Sequence, residues 1–228
     1  MKLTLAFDIY GTLIDTQAVV MQLEKLVGED ANEFSQLWRS KQLEYSFRRA
    51  LMKRYKDFSV CIADSLEYCC SYFDISLSKA QKQALLDQYR ALPKFEDVSD
   101  ALTQLKALNY RTYAFSNGSK KTVTGLLESA GIIGLFDGVI SVEEVQSFKP
   151  NPSVYESFLK QTGSLRENTW LISSNSFDVI GASSAGLKSV WVQRDNKNVY
   201  DPWGIEQTIT ISSLQEMVPV LSDFNELR

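Results

Sequence analysis

Polar side chains that could carry out nucleophilic chemistry follow short apolar runs at four places in this chain. Asp8 ends the run 3–8 and is followed at once by a glycine turn. A serine and an asparagine follow the run 111–115, Lys149 lies in a third such segment, and Asp178 closes the fourth. A carboxylate at the end of a buried strand is a candidate covalent nucleophile, and a lysine would offset the charge of two crowded carboxylates. These residue types therefore predict a site built around Asp8.

The absence of histidine narrows the chemistry. No residue of the 228 is a histidine, so the chain can form neither a Ser-His-Asp triad nor a histidine-ligated zinc site. A general base must then be a carboxylate, lysine, tyrosine or cysteine. A hydrolase built from this chain would rely on carboxylates.

Composition favours a soluble globular protein with a sizeable core. Hydrophobic residues make up 44%, the net charge is -4 and the sequence pI is about 5.1, which argues against a nucleic-acid surface. No apolar run approaches the length of a membrane span. The cysteines, Cys61, Cys69 and Cys70, are odd in number and close together, as is typical of free thiols. We expect a cytoplasmic protein that contacts neither membrane nor nucleic acid.

The elements alternate in the way that predicts a parallel sheet. Strands are predicted at 3–8, 111–115, 139–141, 169–172, 190–192 and 208–211, with helices between them. The fold class is α/β: a Rossmann-like parallel sheet with helices on both faces. Residues 16–92 are mostly helical in pattern and predict a cap inserted after the first strand, so that 1–15 and 93–228 form the catalytic core. Because parallel strands end at one edge of a sheet, the four polar segments should converge.

The order of these segments resembles the haloacid dehalogenase superfamily. Asp, then Ser, then Lys, then a terminal acidic residue is the order of its motifs, here Asp8, Ser116, Lys149 and Asp178. The phosphatases of that superfamily carry further acidic residues where this chain has Tyr10 and Ser174. Those two departures, within Phe7–Leu13 and Ser173–Asp178, are similar to the L-2-haloacid dehalogenases. The resemblance therefore implies no cofactor and no metal site.

A second motif lies in the predicted cap. The segment 38–45, Trp-Arg-Ser-Lys-Gln-Leu-Glu-Tyr, resembles the first cap helix of the L-2-haloacid dehalogenases, whose arginine meets the departing halide. Arg39 takes that role by position. Ser40 stands where the family often has glutamine, and we expect this exchange to alter the size of the pocket or the range of substrates.

The resemblance implies hydrolysis of short L-2-haloalkanoic acids to D-2-hydroxy acids through an ester on the nucleophile. The implied catalytic residues are Asp8, Thr12, Arg39, Ser116, Lys149, Tyr155, Ser173, Asn175 and Asp178. The implied substrate-binding residues are Ile9, Tyr10, Leu43, Phe58, Ser116, Asn117 and Phe177. The implied halide-binding residues are Arg39, Asn117 and Phe177.

Some of these residues have more specific implied tasks. Thr12 and Tyr155 are expected to hold Asp8 and Lys149 by hydrogen bonds. Asp178 is expected to activate the hydrolytic water, with Ser173 and Asn175 positioning that water or Asp178.

Two other functions share parts of this pattern. A magnesium-dependent phosphatase of the same superfamily would use the same four polar segments, but it is disfavoured by Tyr10 and Ser174. A non-catalytic relative that binds a small carboxylate is disfavoured because all the strand-end groups are present. A homodimer is compatible with the apolar residues around Leu51 and Tyr55.

Overall fold

A single parallel sheet places the carboxyl ends of its strands at one edge. The computed structural model describes residues 2–226, and within that range the sheet has six strands in the order β3-β2-β1-β4-β5-β6. The strands are β1 (Thr4–Phe7), β2 (Arg111–Ser116), β3 (Gly138–Ser141), β4 (Thr169–Ser173), β5 (Lys188–Val192) and β6 (Ile209–Ile211). Every pairing is parallel. The predicted α/β fold class is confirmed.

Helices connect the strands. Those between β1 and β2 are α1 (Val20–Val27), α2 (Ala31–Leu51), α3 (Phe58–Tyr72), α4 (Lys79–Gln88) and α5 (Val98–Ala107). Later in the chain come α6 (Lys120–Ser129), α7 (Pro152–Thr162), α8 (Ser176–Ser184) and α9 (Met217–Glu226). No helix within residues 2–226 is both long and apolar enough to cross a membrane.

The central position of β1 explains where the polar segments meet. Phe7 pairs with Ala114 of β2 on one side and with Ile172 of β4 on the other. All four residues of β1 are buried, as expected for a strand covered on both faces. Asp8 follows directly, and its backbone N–H donates to the carbonyl of Ile172 at 2.9 Å. The strand order also reverses at β1, which is where open α/β sheets form their ligand crevice.

Side-chain caps fix where α3 and α7 begin, and these two helices carry functional side chains. The carboxylate of Asp57 accepts from the backbone N–H of Ser59 at 2.7 Å and starts α3. Asn151 accepts from the backbone N–H of Ser153 at 3.0 Å and starts α7, with Pro152 in its first turn.

The predicted elements differ from the observed ones mainly at their ends. The predicted strands lie within two residues of the observed bounds, but the mostly helical stretch predicted from residue 16 opens with a 3-10 turn at Thr16–Val19. A 3-10 turn at Leu214–Glu216 likewise precedes α9, and Ser213 and Glu216 form a capping box there. The division into core and cap stays a prediction.

Candidate active site

The two carboxylate oxygens of Asp8 have different surroundings. Oδ2 accepts from Thr12 Oγ1 at 3.0 Å, from Ser173 Oγ at 3.1 Å and from Asn175 Nδ2 at 2.7 Å. Oδ1 accepts only from Lys149 Nζ, at 3.1 Å, among the hydrogen bonds of residues 2–226. Three donors fix Oδ2 in place, so Oδ1 is the oxygen left with an available lone pair.

Lys149 joins the two acidic residues of the site. Its ammonium lies 3.1 Å from Asp8 Oδ1 and 2.7 Å from Asp178 Oδ2, and it also donates to the carbonyl of Phe115 at 2.8 Å. The side chain is 1% exposed. Burial lowers the pKa of Lys149, but the two carboxylates outweigh it, and the pKa is raised. The lysine therefore stays charged and neutralises part of the negative charge.

Asp178 is the most deeply buried acid of the site. It lies in the first turn of α8, it is 0% exposed, and Tyr155 OH donates to its Oδ1 at 2.8 Å. Burial raises the pKa of Asp178 from an ordinary 3.8 to about 6, the charge of Asp8 adds to the rise, and Lys149 and Tyr155 oppose it. A carboxylate with a pKa near neutrality is suited to accept a proton during catalysis.

Unpaired backbone donors lie beside the nucleophile. In the part of the chain that the structure describes, the backbone N–H groups of Ile9, Tyr10 and Asn117 donate to no protein acceptor. These residues are at most 8% exposed, and buried backbone N–H groups are rarely left unpaired. Three such donors after adjacent strands form a cradle for an anionic group of a ligand. Ser116 lies at the same edge, where its hydroxyl accepts from the backbone N–H of Gly118 at 3.1 Å.

Arg39 brings a positive charge from α2 to this edge of the sheet. Its guanidinium makes two long contacts of 3.4 Å, one to the carbonyl of Tyr10 and one to Gln42 Oε1. It has no carboxylate partner among the described residues. Asn117 adds a neutral donor at this edge. Its Oδ1 accepts from the backbone N–H of Lys149 at 2.9 Å, so its Nδ2 remains a donor. Both groups are suited to bind an anion.

Aromatic and aliphatic side chains surround these polar groups. The rings of Tyr10 and Phe58 lie 6.2 Å apart and line a cavity of about 270 Å³ together with Tyr89. Burial raises the pKa of Tyr10 well above its ordinary range, so its hydroxyl stays neutral. Phe177 is half-buried and meets Phe47 of α2 edge to face at 5.1 Å. Leu43 is half-buried one helical turn after Arg39.

One predicted contact is wrong. Tyr155 does not hold Lys149: it is fully buried and donates to Asp178, because α7 packs against α8. Ser173 and Asn175, predicted to position the hydrolytic water or Asp178, both donate to Asp8 Oδ2 from the end of β4 and make no bond to Asp178. Their positioning of the water stays a prediction. The predicted bond from Thr12 to Asp8 is present.

Three further residues support the site and were not predicted from the sequence. Gln42 is fully buried and accepts from Tyr89 OH at 3.1 Å as well as from Arg39. Its spacing of three from Arg39 was an available signal. Gly181 lies so close to Tyr155 and Pro150 that a Cβ there would come 2.6 Å from Pro150. No local sequence pattern indicates a role for Tyr89 in the site.

The arrangement of acids also bears on metal binding. Within residues 2–226, no group of three or more histidine, cysteine, aspartate or glutamate side chains is placed to hold a metal ion. The space between Asp8 and Asp178 is taken by the ammonium of Lys149, which bonds to both. The site therefore presents a charged lysine where its two acids face each other.

Comparisons with known proteins give the family of the chain. A family described as haloacid dehalogenase-like hydrolase matches residues 3–186. An (S)-2-haloacid dehalogenase of Pseudomonas putida is 36% identical over 213 residues, which cover 93% of each chain. One from Pseudomonas fluorescens is 36% identical over 211 residues, which cover 92% of each chain.

A solved structure shows the same fold. It is the L-2-haloacid dehalogenase of Xanthobacter autotrophicus with chloropropionic acid covalently bound, which is 27% identical, has a TM-score of 0.89, and is matched over 97% of this chain and 99% of its own. The family match, the identities over most of both chains and the shared fold lead to one conclusion. The chain belongs to the haloacid dehalogenase-like hydrolases, within their L-2-haloacid dehalogenase branch.

Proposed function

We propose that this protein hydrolyses short L-2-haloalkanoic acids to D-2-hydroxyalkanoic acids through an ester on Asp8, without a metal ion. The observation that carries the proposal is the asymmetry of the Asp8 carboxylate. Oδ2 is fixed by three donors and Oδ1 is held only by Lys149. One oxygen is thereby free to attack and the other is surrounded by groups that stabilise negative charge. The activity of the related dehalogenases gives independent support.

In the first step Asp8 Oδ1 attacks the carbon that bears the halogen, from the side opposite the leaving group. The C–O bond forms as the carbon–halogen bond breaks, and the configuration inverts. The substrate carboxylate would lie against the unpaired N–H groups of Ile9, Tyr10 and Asn117 and near the hydroxyl of Ser116. Lys149 makes this approach of two anions favourable, because it offsets the charge of the nucleophile.

The departing halide needs an electrostatic partner and no proton, because halide is a weak base. Arg39 supplies a permanent positive charge, and Asn117 Nδ2 and the ring edge of Phe177 complete the halide site. In the hydrolysis of a phosphate ester the alcohol would leave as a basic alkoxide. Its departure would need an acid at the position of Tyr10. A neutral tyrosine there is compatible with halide departure.

In the second step water attacks Cγ of the Asp8 ester and Asp178 accepts its proton. Oδ2 is now the ester carbonyl oxygen, and the charge that develops on it is stabilised by Thr12, Ser173 and Asn175. The bond from Cγ to Oδ1 then breaks, and Oδ1 leaves with the product as its hydroxyl oxygen. The proton reaches Oδ1 from Asp178 through Lys149, which bonds to both. The new Asp8 carboxyl group, which keeps the oxygen of the water, releases its remaining proton to solvent, so the carboxylate is restored and the inverted carbon is untouched.

The first test is halide release from the two enantiomers of 2-chloropropionate, measured with and without EDTA. We expect chloride from the L form only, none from Asp8→Asn, and unchanged release from Asp195→Asn, which alters an exposed aspartate. A folded protein that releases no chloride from the L form, or that loses this activity with EDTA, contradicts the proposal. Turnover of an aryl phosphate with magnesium would point instead to a phosphatase.

The assembly state and the location in the cell also stay predictions. A homodimer through the predicted cap would cover Leu51, which is 85% exposed at the end of α2, and Tyr72, which is 60% exposed at the end of α3. Tyr55 is less available for such an interface, since it is half-buried against Phe148 with ring centroids 5.0 Å apart. Light scattering of the wild type and of Leu51→Glu would test the dimer.

A further inference from the structure

A basic groove has no lining residue in common with the cavity near Tyr10. It measures about 760 Å³ and lies between the end of α2 with the segment that follows it and the loop that precedes α7. Arg49, Lys53, Arg54 and Lys56 form one wall, and no acidic residue lines the groove. The chain as a whole carries a net charge of -4. The charge of the four cations around this concave surface is therefore opposite in sign to the net charge of the protein.

Most of this positive charge is not neutralised within the described residues. Arg49 is paired with Asp64 at 2.7 Å, whereas Lys53, Arg54 and Lys56 form no ion pair in the part of the chain that the structure describes. The opposite wall includes Asn151, where α7 begins. The amino end of a helix adds positive potential. The groove thus offers charge for an anion and a concave shape to hold it.

Two residues that line the groove carry covered hydroxyl groups without partners. Ser147 is 7% exposed and its Oγ has no hydrogen-bond partner, and the buried hydroxyl of Tyr55 has none either. Leaving a buried polar group unpaired lowers stability, so such groups usually meet a ligand or water. Burial raises the pKa of Tyr55, which keeps its hydroxyl protonated as a donor.

We propose that this groove is a binding site for a small multivalent oxyanion, of the phosphate or polycarboxylate class. The cations supply the charge, and the covered hydroxyl of Ser147 becomes a donor when the wall in front of it moves aside for the anion. The groove is distinct from the cavity near Tyr10: the two have no lining residue in common, and the buried Phe148 contacts Tyr55 of the groove and Phe58 of the cavity. It does not depend on the dehalogenase function.

Titration calorimetry of the full chain at constant ionic strength would test the site, with pyrophosphate and citrate as separate probes. We expect one saturable site for at least one probe and none for chloride. The double variant Lys53→Gln/Arg54→Gln should bind roughly tenfold more weakly. The matched control is Lys160→Gln/Lys197→Gln, which removes the same charge from exposed positions elsewhere. Which probe binds decides between a phosphate and a carboxylate ligand.

Ser147→Ala separates a ligand contact from a structural role. If its hydroxyl serves only the fold, removing an unpaired buried group should leave the melting temperature equal or higher and probe binding unchanged. We expect instead a melting temperature at least equal to wild type together with roughly threefold or greater loss of probe affinity. The proposal is overturned if neither probe binds saturably, if the control double variant weakens binding as much as Lys53→Gln/Arg54→Gln, or if Ser147→Ala leaves binding unchanged.

Discussion

Replacing Asp178 by asparagine should stop the reaction at the ester. The displacement step uses Asp8 and Arg39, which this change leaves in place, so a first halide is released. The second step needs a base for the water, and an asparagine cannot accept the proton. We therefore expect one halide per active site followed by almost no turnover, and an enzyme whose mass is increased by one propionate unit after reaction with L-2-chloropropionate.

The size of the effect follows from the surroundings of Asp178. A positioned general base contributes roughly 10²–10⁴-fold, and this carboxylate combines full burial with a pKa of about 6. Bulk water cannot easily take its place, so ester hydrolysis should slow by at least about 10³-fold. The displacement should slow by a smaller factor, because Lys149 loses one carboxylate and binds Asp8 Oδ1 more strongly.

The fold should tolerate this exchange. Because the pKa of Asp178 is raised from 3.8 to about 6, its charge costs the folded protein about 3 kcal/mol at pH 7 relative to the unfolded chain. Asparagine removes that cost, while Lys149 loses a partner and opposes the gain. Its amide can keep contacts to Lys149 and Tyr155, which lie 2.7 Å and 2.8 Å from the carboxylate oxygens.

Rapid-quench halide release with intact-mass spectrometry is the assay, and thermal unfolding verifies the fold. Asp8→Asn should show neither halide burst nor added mass, and Asp195→Asn should match wild type. Steady turnover by Asp178→Asn above about 1% of wild type would refute its role as the base. A folded variant with no burst at all would show that Asp178 is needed before the ester forms.

Three further outcomes follow from the site. Arg39→Lys should lower the rate of halide release by roughly 10²-fold, because an ammonium lacks the guanidinium's fork of donors, while Arg48→Lys, exposed on the same helix, should have no effect. Gly181→Ala should lower the free energy of unfolding by about 1–3 kcal/mol, measured by denaturant titration, because its Cβ would press on Tyr155 and Pro150. The rate of ester decay should fall as pH drops through a pKa at or below about 6, since the base must be ionised; a decay rate independent of pH from 8 to 4 would contradict this.

The sequence predicted the sheet because its signals are local. An apolar run before Asp8, alternating helices and strands, and parallel pairing that brings strand ends together were enough to place Ser116, Lys149 and Asp178 at one edge. Element ends were harder to predict. The first and last helices open as 3-10 turns, and this depends on side-chain capping contacts that hydrophobic periodicity does not report.

The sequence predicted the members of the site better than their contacts. The sequence predicts Tyr155 beside Lys149, whereas Tyr155 donates to Asp178, because the packing of α7 on α8 decides which side chain its hydroxyl reaches. The donors to Asp8 Oδ2 come from residues 4 to 167 positions away in the chain. Such a distance carries no periodic signal. The role of Gly181 was likewise invisible, since it depends on the closeness of two packed segments.

Charge explains why Asp8, Lys149 and Asp178 can act one after the other in the two chemical steps. Before the reaction Lys149 is shared by two carboxylates, and the charge of Asp8 helps to raise the pKa of Asp178. Ester formation removes the charge of Asp8. One cause of the raised pKa of Asp178 then disappears, and Lys149 has Asp178 as its remaining acidic partner. The base is therefore ionised most fully at the stage when water must be activated. A neutral Tyr10 adds no competing charge, so the same three charged side chains serve displacement first and hydrolysis second.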